Sequence, residues 1–264
     1  MINILYAVLV LGVMGAAFAA LLGVASKVFA VETDPREAAV LECLAGANCG
    51  GCGYPGCSGY AAAVVAGEAP TDKCGPGGAE AAAKIAAVMG VDAGSSEKMI
   101  AFVPCSGSSE NAALKFDYTG PKTCQAAMGY GGKGTKVCSF SCIGYGDCVN
   151  ACKFGAMRLV DGVAKVDREK CVACMACAEA CPKHIIVKVP YSQTELVSCR
   201  SNDKGPAVTK ACKVGCIGCM KCAKECPAEA ITITNFLANI DPEKCIKCGH
   251  CETVCPRHII KPQK

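Results

Sequence analysis

The 264-residue chain has no tryptophan, only seven Phe and seven Tyr, and three His. Large rings usually dominate core burial. With 5% aromatic residues, a single hydrocarbon core of ordinary size is not expected. Several small modules held together by something else fit the composition better. Also missing are a Ser/His/Asp set, a paired-carboxylate arrangement and a dinucleotide fingerprint, so no site for bond-making chemistry is visible. The stretch "GYGGKGTK" at 129–136 looks like a phosphate loop. Its Lys and Thr stand in the wrong order, however, and no apolar strand precedes it. His184 and His258 share one position, two residues after a Cys-Pro pair, and read as structural; His250 reads as a surface residue. What the chain has in abundance is cysteine, 25 in all. In a short secreted chain that density would suggest a disulfide scaffold.

Residues Ile4 to Ala25 carry no charge. As a helix they span about 33 Å, enough for the hydrocarbon core of a bilayer. A cleaved signal peptide is the rival, with Val28-x-Ala30 as its cleavage site. The apolar run is too long for that, and no Lys or Arg precedes it. Lys27 and Arg36 follow the span, so the positive-inside bias puts the bulk of the chain on the cytoplasmic side of the inner membrane, behind a single-pass anchor.

Beyond the anchor the chain repeats with a period of 74. Cys138, Cys142, Cys148, Cys152, Cys171, Cys174, Cys177 and Cys181 fall on Cys212, Cys216, Cys222, Cys226, Cys245, Cys248, Cys251 and Cys255. Around them "CPKHII" at 181–186 falls on "CPRHII" at 255–260. Two copies of one module are expected, at 137–190 and 211–264. Each has a cysteine knot, an alternating stretch, a turn, a second stretch and a second knot. Asp161-Gly162 reads as a two-residue hairpin turn, and Asn235-Phe236 as a weaker one. The remaining segments read as an anchor (1–30), a small helical domain (31–95), a connecting segment (96–136) and a linker (191–210). Gly78 to Gly90 is expected to be a helix ended by Gly90.

The runs beginning at Cys171, Cys216 and Cys245 all follow C-x2-C-x2-C-x3-C-P. That is the run of bacterial ferredoxins, in which the fourth cysteine serves the other cluster of a pair. Zinc sites use pairs of ligands separated by longer loops. Disulfides would have to join near neighbours. [4Fe–4S] clusters are therefore expected. In the second copy one is held by Cys216, Cys219, Cys222 and Cys255, the other by Cys245, Cys248, Cys251 and Cys226. The first copy departs from the run, because Tyr145 stands where Cys219 is expected and Lys153 replaces the Pro after the knot. Cys138, preceding Cys142 by x3, completes the triplet. The assignment is then Cys138, Cys142 and Cys148 with Cys181, and Cys171, Cys174 and Cys177 with Cys152.

Upstream, Cys49, Cys52 and Cys57 lie in "NCGGCGYPGC", and Cys74 follows. The glycines let the backbone turn tightly around one more four-thiolate site. Five clusters are thus expected. Cys105, Cys124, Cys199 and Cys212 either hold a sixth cluster between the modules or are scattered thiols, and the sequence leaves both open. "FVPCSG" at 102–107 resembles "LVSCRS" at 196–201. Cys43 reads as a core thiol. The formal charge of +4 takes no account of the clusters. Each with its four thiolates carries about −2, so the loaded chain is near −6 with five and −8 with six. Nucleic acid is not an expected partner.

An N-terminal span, then C-x2-C-x4-C-x16-C, then ferredoxin-like modules, resembles the B subunit of the Rnf complex over essentially the whole chain. The duplicated module looks like the longer form found in anaerobes such as clostridia. The resemblance implies an α+β chain: a transmembrane helix, a small helical 4Fe-4S domain and two tandem bacterial-ferredoxin-like modules. It implies an electron-transfer subunit of a ferredoxin:NAD+ oxidoreductase that drives Na+ or H+ translocation. Reduced ferredoxin would be the donor. Flavin and nicotinamide would lie on sister subunits, not on this chain, and other partners would be integral-membrane subunits. Two other classes compete: a membrane-tethered iron–sulfur sensor or reductive activator, and an exported disulfide-linked structural protein.

Overall fold

The computed structural model describes residues 2–28, 34–92, 97–130 and 132–262. Helix α1 (Ile2–Val28) is 27 residues long, about 40 Å at 1.5 Å per residue. The apolar window Leu9–Ser26 within it is entirely unburied by the rest of the chain. A helix this apolar cannot be the core of a soluble domain it does not touch; by length and composition it is a candidate membrane span.

A three-helix unit follows, made of α2 (Pro35–Cys43), α3 (Gly56–Val65) and α4 (Gly78–Met89). Asp34 caps α2 through its side chain, which accepts from the Arg36 N–H at 2.8 Å, and Pro35 suits the first turn. Gly90 ends α4 in the left-handed region, with its N–H on the Ala86 carbonyl. Val40, Tyr60, Val64 and Ile85 form the buried core. Tyr60 also has a polar task. Its hydroxyl donates to the Pro70 carbonyl at 2.7 Å and accepts from the Lys73 N–H at 3.1 Å, which ties the loop before Cys74 to α3.

The rest of the chain forms two matching halves. In the first, β2 (Met157–Val160) and β3 (Val163–Val166) make a hairpin. In the second, β6 (Ile231–Thr234) and β7 (Leu237–Ile240) make another. Met157 pairs with Val166 and Ile231 with Ile240, so the registers coincide at the 74-residue offset. Asp161 and Gly162 both have positive φ (48° and 73°), as the type I′ turn demands. Asn235 and Phe236 adopt the same conformation (50° and 63°) without a glycine to ease it.

Each half has a second two-stranded sheet. β1 (Met99–Phe102) pairs antiparallel with β4 (Val187–Pro190), and β5 (Glu195–Val197) with β8 (Ile260–Pro262). β1 lies in the stretch read as a connecting segment and β5 in the stretch read as a linker. Both stretches are therefore structural parts of the halves they precede. Short helices carry the cysteine knots: α6 (Asp147–Asn150) and α7 (Ala176–Glu179) in the first half, α9 (Lys221–Lys224) and α10 (His250–Val254) in the second. Two further helices, α5 (Cys124–Gly129) and α8 (Gly205–Ala211), stand ahead of the first knots.

The cores of the halves are small and aliphatic. Ile100, Val103, Val163, Ile185 and Ile186 line the first, and Ile231, Ile259 and Ile260 the second. Buried cysteines complete both: Cys142, Cys148, Cys171 and Cys177 in one, and Cys216, Cys222, Cys251 and Cys255 in the other. The aromatic poverty of the sequence is thus met by thiols in the places where rings would otherwise pack.

Candidate metal centres

All 25 cysteines are free in the structure. Nor do any three His, Cys, Asp or Glu side chains among the described residues close on one point tightly enough for a single ion. The thiols instead stand in fours around cavities. One cavity is lined by Cys216, Cys219, Cys222 and Cys255, and a second by Cys226, Cys245, Cys248 and Cys251. A third has Cys124, Cys142, Cys148 and Cys181, and a fourth Cys105, Cys138, Cys199 and Cys212. Four sites alike in build, each walled largely by aliphatic groups and four sulfurs, suit a polynuclear cluster better than a single zinc ion.

Two of these groupings differ from the one drawn from spacing. Cys138 does not join Cys142, Cys148 and Cys181; Cys124 does. Cys138 stands with Cys105, Cys199 and Cys212, in the place expected for Cys124. The cause is Asp147, the residue before Cys148. Its two carboxylate oxygens accept from the Cys124 and Gln125 N–H groups, each at 2.9 Å, which pins the start of α5 beside the first knot. Thr123 caps the same helix, accepting from the Ala126 N–H at 3.2 Å. Tyr145, occupying the missing cysteine's place, packs with Tyr118 beside α5. Spacing along the chain favoured the nearest thiol; the fold supplies a more distant one.

The two other sets are held by electrostatic and backbone contacts. Cys152, Cys171, Cys174 and Cys177 act on one another electrostatically. Cys171 and Cys152 accept N–H bonds from Ala101 and Ala156, both at 3.3 Å. In the N-terminal unit, the Asn48 side chain accepts from the Cys57 N–H at 2.8 Å and closes the glycine-rich loop. That loop lies on the first half. A Cβ on Gly51 would sit 2.7 Å from the Cys174 Cα, and one on Gly75 2.3 Å from the Val172 carbonyl oxygen. Only glycine permits that approach.

Burial pushes the thiols up: Cys148 and Cys251 to about 12, and Cys142, Cys177, Cys199 and Cys222 to about 11. Neighbouring sulfurs add to the effect at each. Iron binds thiolates, so loading these sites releases protons, and the positive cluster core takes over the compensation that water cannot give.

Lys136, from the phosphate-loop decoy, is buried. Its ammonium donates to the Gly107 and Gly162 carbonyls at 2.7 and 2.9 Å. Lys183 and Arg257 occupy the same repeat position and do the same work. Lys183 donates to the Lys133 and Ser139 carbonyls, and Arg257 to those of Cys212 and Gly215. His184 and His258 share a left-handed backbone (φ 47° and 48°) and bond back to the Cys181 and Cys255 carbonyls. No motif points to Asp147 or Tyr60, and the motifs that contain Asn48 and Lys136 do not give these two the roles they have. For Cys124 a signal did exist: 33 residues separate Cys105 from Cys138 but 13 separate Cys199 from Cys212, and the extra 20 carry Cys124.

Residues 44–76 match the FeS family of iron–sulfur cluster motifs, and residues 141–186 and 215–259 each match a 4Fe-4S dicluster domain. The chain is 47% identical over 258 residues to the B subunit of the Na(+)-translocating ferredoxin:NAD(+) oxidoreductase complex of Acetobacterium woodii, covering 97% of this chain and 77% of that one. It is 42% identical over 253 residues to the B subunit of the ion-translocating oxidoreductase complex of Methanosarcina acetivorans, covering 96% of each. With the B subunit of the proton-translocating ferredoxin:NAD(+) oxidoreductase complex of Clostridium ljungdahlii it shares 39% identity, over 98% of this chain and 92% of that one.

Proposed function

The chain belongs to the family of B subunits of ion-translocating oxidoreductase complexes, and from that premise we propose that it is a membrane-anchored relay. It takes electrons from reduced ferredoxin and hands them to the flavin- and NAD-bearing and integral-membrane subunits of a ferredoxin:NAD+ oxidoreductase that moves Na+ or H+. The observation that carries the reading is the row of four-thiol sets, from the glycine-rich loop onto the first half and on to the second.

Five sets would hold [4Fe–4S] groups: Cys49, Cys52, Cys57 and Cys74; Cys152, Cys171, Cys174 and Cys177; Cys142, Cys148 and Cys181 with a fourth thiol; Cys216, Cys219, Cys222 and Cys255; and Cys226, Cys245, Cys248 and Cys251. Each such group, when bound, takes up and returns one electron. The chain's own part is placement. Aliphatic walls shield the buried sulfurs from water, backbone N–H groups stabilise thiolate charge, and Gly51 and Gly75 let two sets approach without an intervening side chain.

Cys219 and Cys248 are the two exposed cysteines, which makes the second half the docking face for the donor. Exposed Lys221 and Lys224 follow Cys219 along the chain and exposed Lys244 and Lys247 precede Cys248, with Glu225 and Glu243 exposed among them; the lysines suit an acidic partner such as ferredoxin. The Cys49–Cys74 set follows α1 most closely along the chain and is the exit toward the membrane partners, with the bulk of the chain on the cytoplasmic side. Stopped-flow mixing of the anaerobic full chain with reduced ferredoxin tests this. Bleaching of the cluster absorbance at a rate that falls as salt rises is expected. A chain loaded with zinc, or one that ferredoxin does not reduce, contradicts it.

A further inference from the structure

We propose that Cys105, Cys138, Cys199 and Cys212 hold a sixth [4Fe–4S] cluster that joins the two halves, with Cys124 as the fourth ligand of the Cys142–Cys148–Cys181 site. The inference rests on the relay reading and extends it to a site between the modules.

The four thiols form two equivalent pairs. Cys138 and Cys212 are one repeat position; Cys105 and Cys199 are another, each a few residues after the strand that closes its half. The hydrogen bonds repeat with them. Cys105 Sγ accepts from the Gly107 and Cys142 N–H groups at 3.4 and 3.5 Å. Cys199 Sγ accepts from the Ser201 and Cys216 N–H groups at 3.5 and 3.4 Å. The repeat accounts for the matched donors; what the seam adds is that all four sulfurs line one cavity between the halves, which suits a single shared guest.

The surroundings suit an anionic guest. Cys105 and Cys212 are buried, 6% and 8% exposed. Lys136 is 4% exposed, and among the described residues no carboxylate pairs with it. A buried cation without a counter-charge is costly. Lys136 acts electrostatically on the Cys142 and Cys212 thiols, and Gly107, whose carbonyl it binds, lines the same cavity as Cys212. Arg257 reaches the Cys212 carbonyl from the other side at 2.6 Å. The backbones of the halves are also laced together here, with Ala113 N–H on the Ala211 carbonyl at 3.0 Å and Lys213 N–H on that of Asn111 at 2.8 Å.

The site lies beside a ligand of each flanking cluster, since the N–H groups of Cys142 and Cys216 both point at its sulfurs. One electron arrives from the second half and one leaves to the first, with no bond or proton changing hands.

Iron and acid-labile sulfide per full chain, after anaerobic purification in detergent, test the proposal. Six clusters give about 24 of each. The paired variants then separate the ligand sets. Cys138→Ala with Cys212→Ala strikes two ligands of one site and leaves about 20 iron; Cys124→Ala with Cys212→Ala strikes one ligand of each of two sites and leaves about 16, or about 22 with two three-iron signals. The reverse pattern overturns the exchange of Cys124 and Cys138. A wild-type count near 20, which needs no variant to fold, overturns the sixth cluster and leaves the relay intact. Zinc, or no iron, overturns both.

Discussion

The two halves share a hairpin, a closing sheet and both cysteine knots at one constant offset, yet they differ at a single ligand. Where the second half has Cys219, the first has Tyr145. The second half keeps its triplet and exposes Cys219 alone of the three; in the first, a thiol from an inserted helix lines the cavity, with Tyr118 and Tyr145 packed beside it. The contrast teaches that repeat position predicts a residue's role better than proximity along the chain. Cys138 lines the same cavity as Cys212, its repeat equivalent, and Cys124 lines the cavity of Cys142, Cys148 and Cys181.

Removing the iron is expected to have the largest effect, and to erase the comparison altogether. Both cores are lined by thiols in place of large apolar groups, so chelation under mild acid should unfold both halves together; structural metal sites in small domains are worth about 10 kcal/mol or more. Far-UV circular dichroism checks this. A chain that keeps its strand signal without iron contradicts it.

Next in size is the loss of a ligand from one half. Cys124→Ala and Cys219→Ala should give the same outcome in different halves, a three-iron signal in the oxidised electron paramagnetic resonance spectrum or the loss of about four iron. If Cys124→Ala leaves the spectrum unchanged, the first half does not use it.

Asp147 has no counterpart, since Lys221 occupies its repeat position. Asp147→Ala removes two charge-assisted bonds to α5 at a cost of about 1.5–3 kcal/mol. The first half's cluster should then be lost faster on exposure to air than the second half's. Equal rates would show that the pin does not position Cys124.

The smallest effect concerns the hairpin turns. Phe236 holds a left-handed backbone that Gly162 adopts at no steric cost. Phe236 is also 45% exposed and so gives up little packing. Phe236→Gly should stabilise the second half by about 1 kcal/mol, read as a rise in its thermal midpoint. A fall would mean that the ring contributes more than the strain removes.

Much of this was legible in the sequence. The Asp161-Gly162 turn, the helix ended by Gly90 and the offset of 74 follow from local rules, and the structure has a hairpin, a helix and matched registers at those places. The cysteine runs that begin at Cys216 and Cys245 name thiols that also share a cavity, because three ligands on one loop need little help from the fold. Legibility failed where contacts are distant. Nothing local in "MIAF" at 99–102 says that it pairs with a strand near residue 190. Cys124 reaches the first knot through the carboxylate of a residue 23 positions away, which no spacing rule encodes. The glycine loop was readable as a thiol wrapper, but its docking on Cys174 was not.

The most direct test of the relay, and of its bridge, is anomalous diffraction at the iron edge from crystals of the anaerobic full chain. Six separate peaks are expected, one of them between Cys105 and Cys199, with Cys124 beside a different peak from Cys138. No iron peak at the seam, with Cys138 beside the Cys142 peak, would contradict the bridge; peaks at the zinc edge instead would contradict the relay itself.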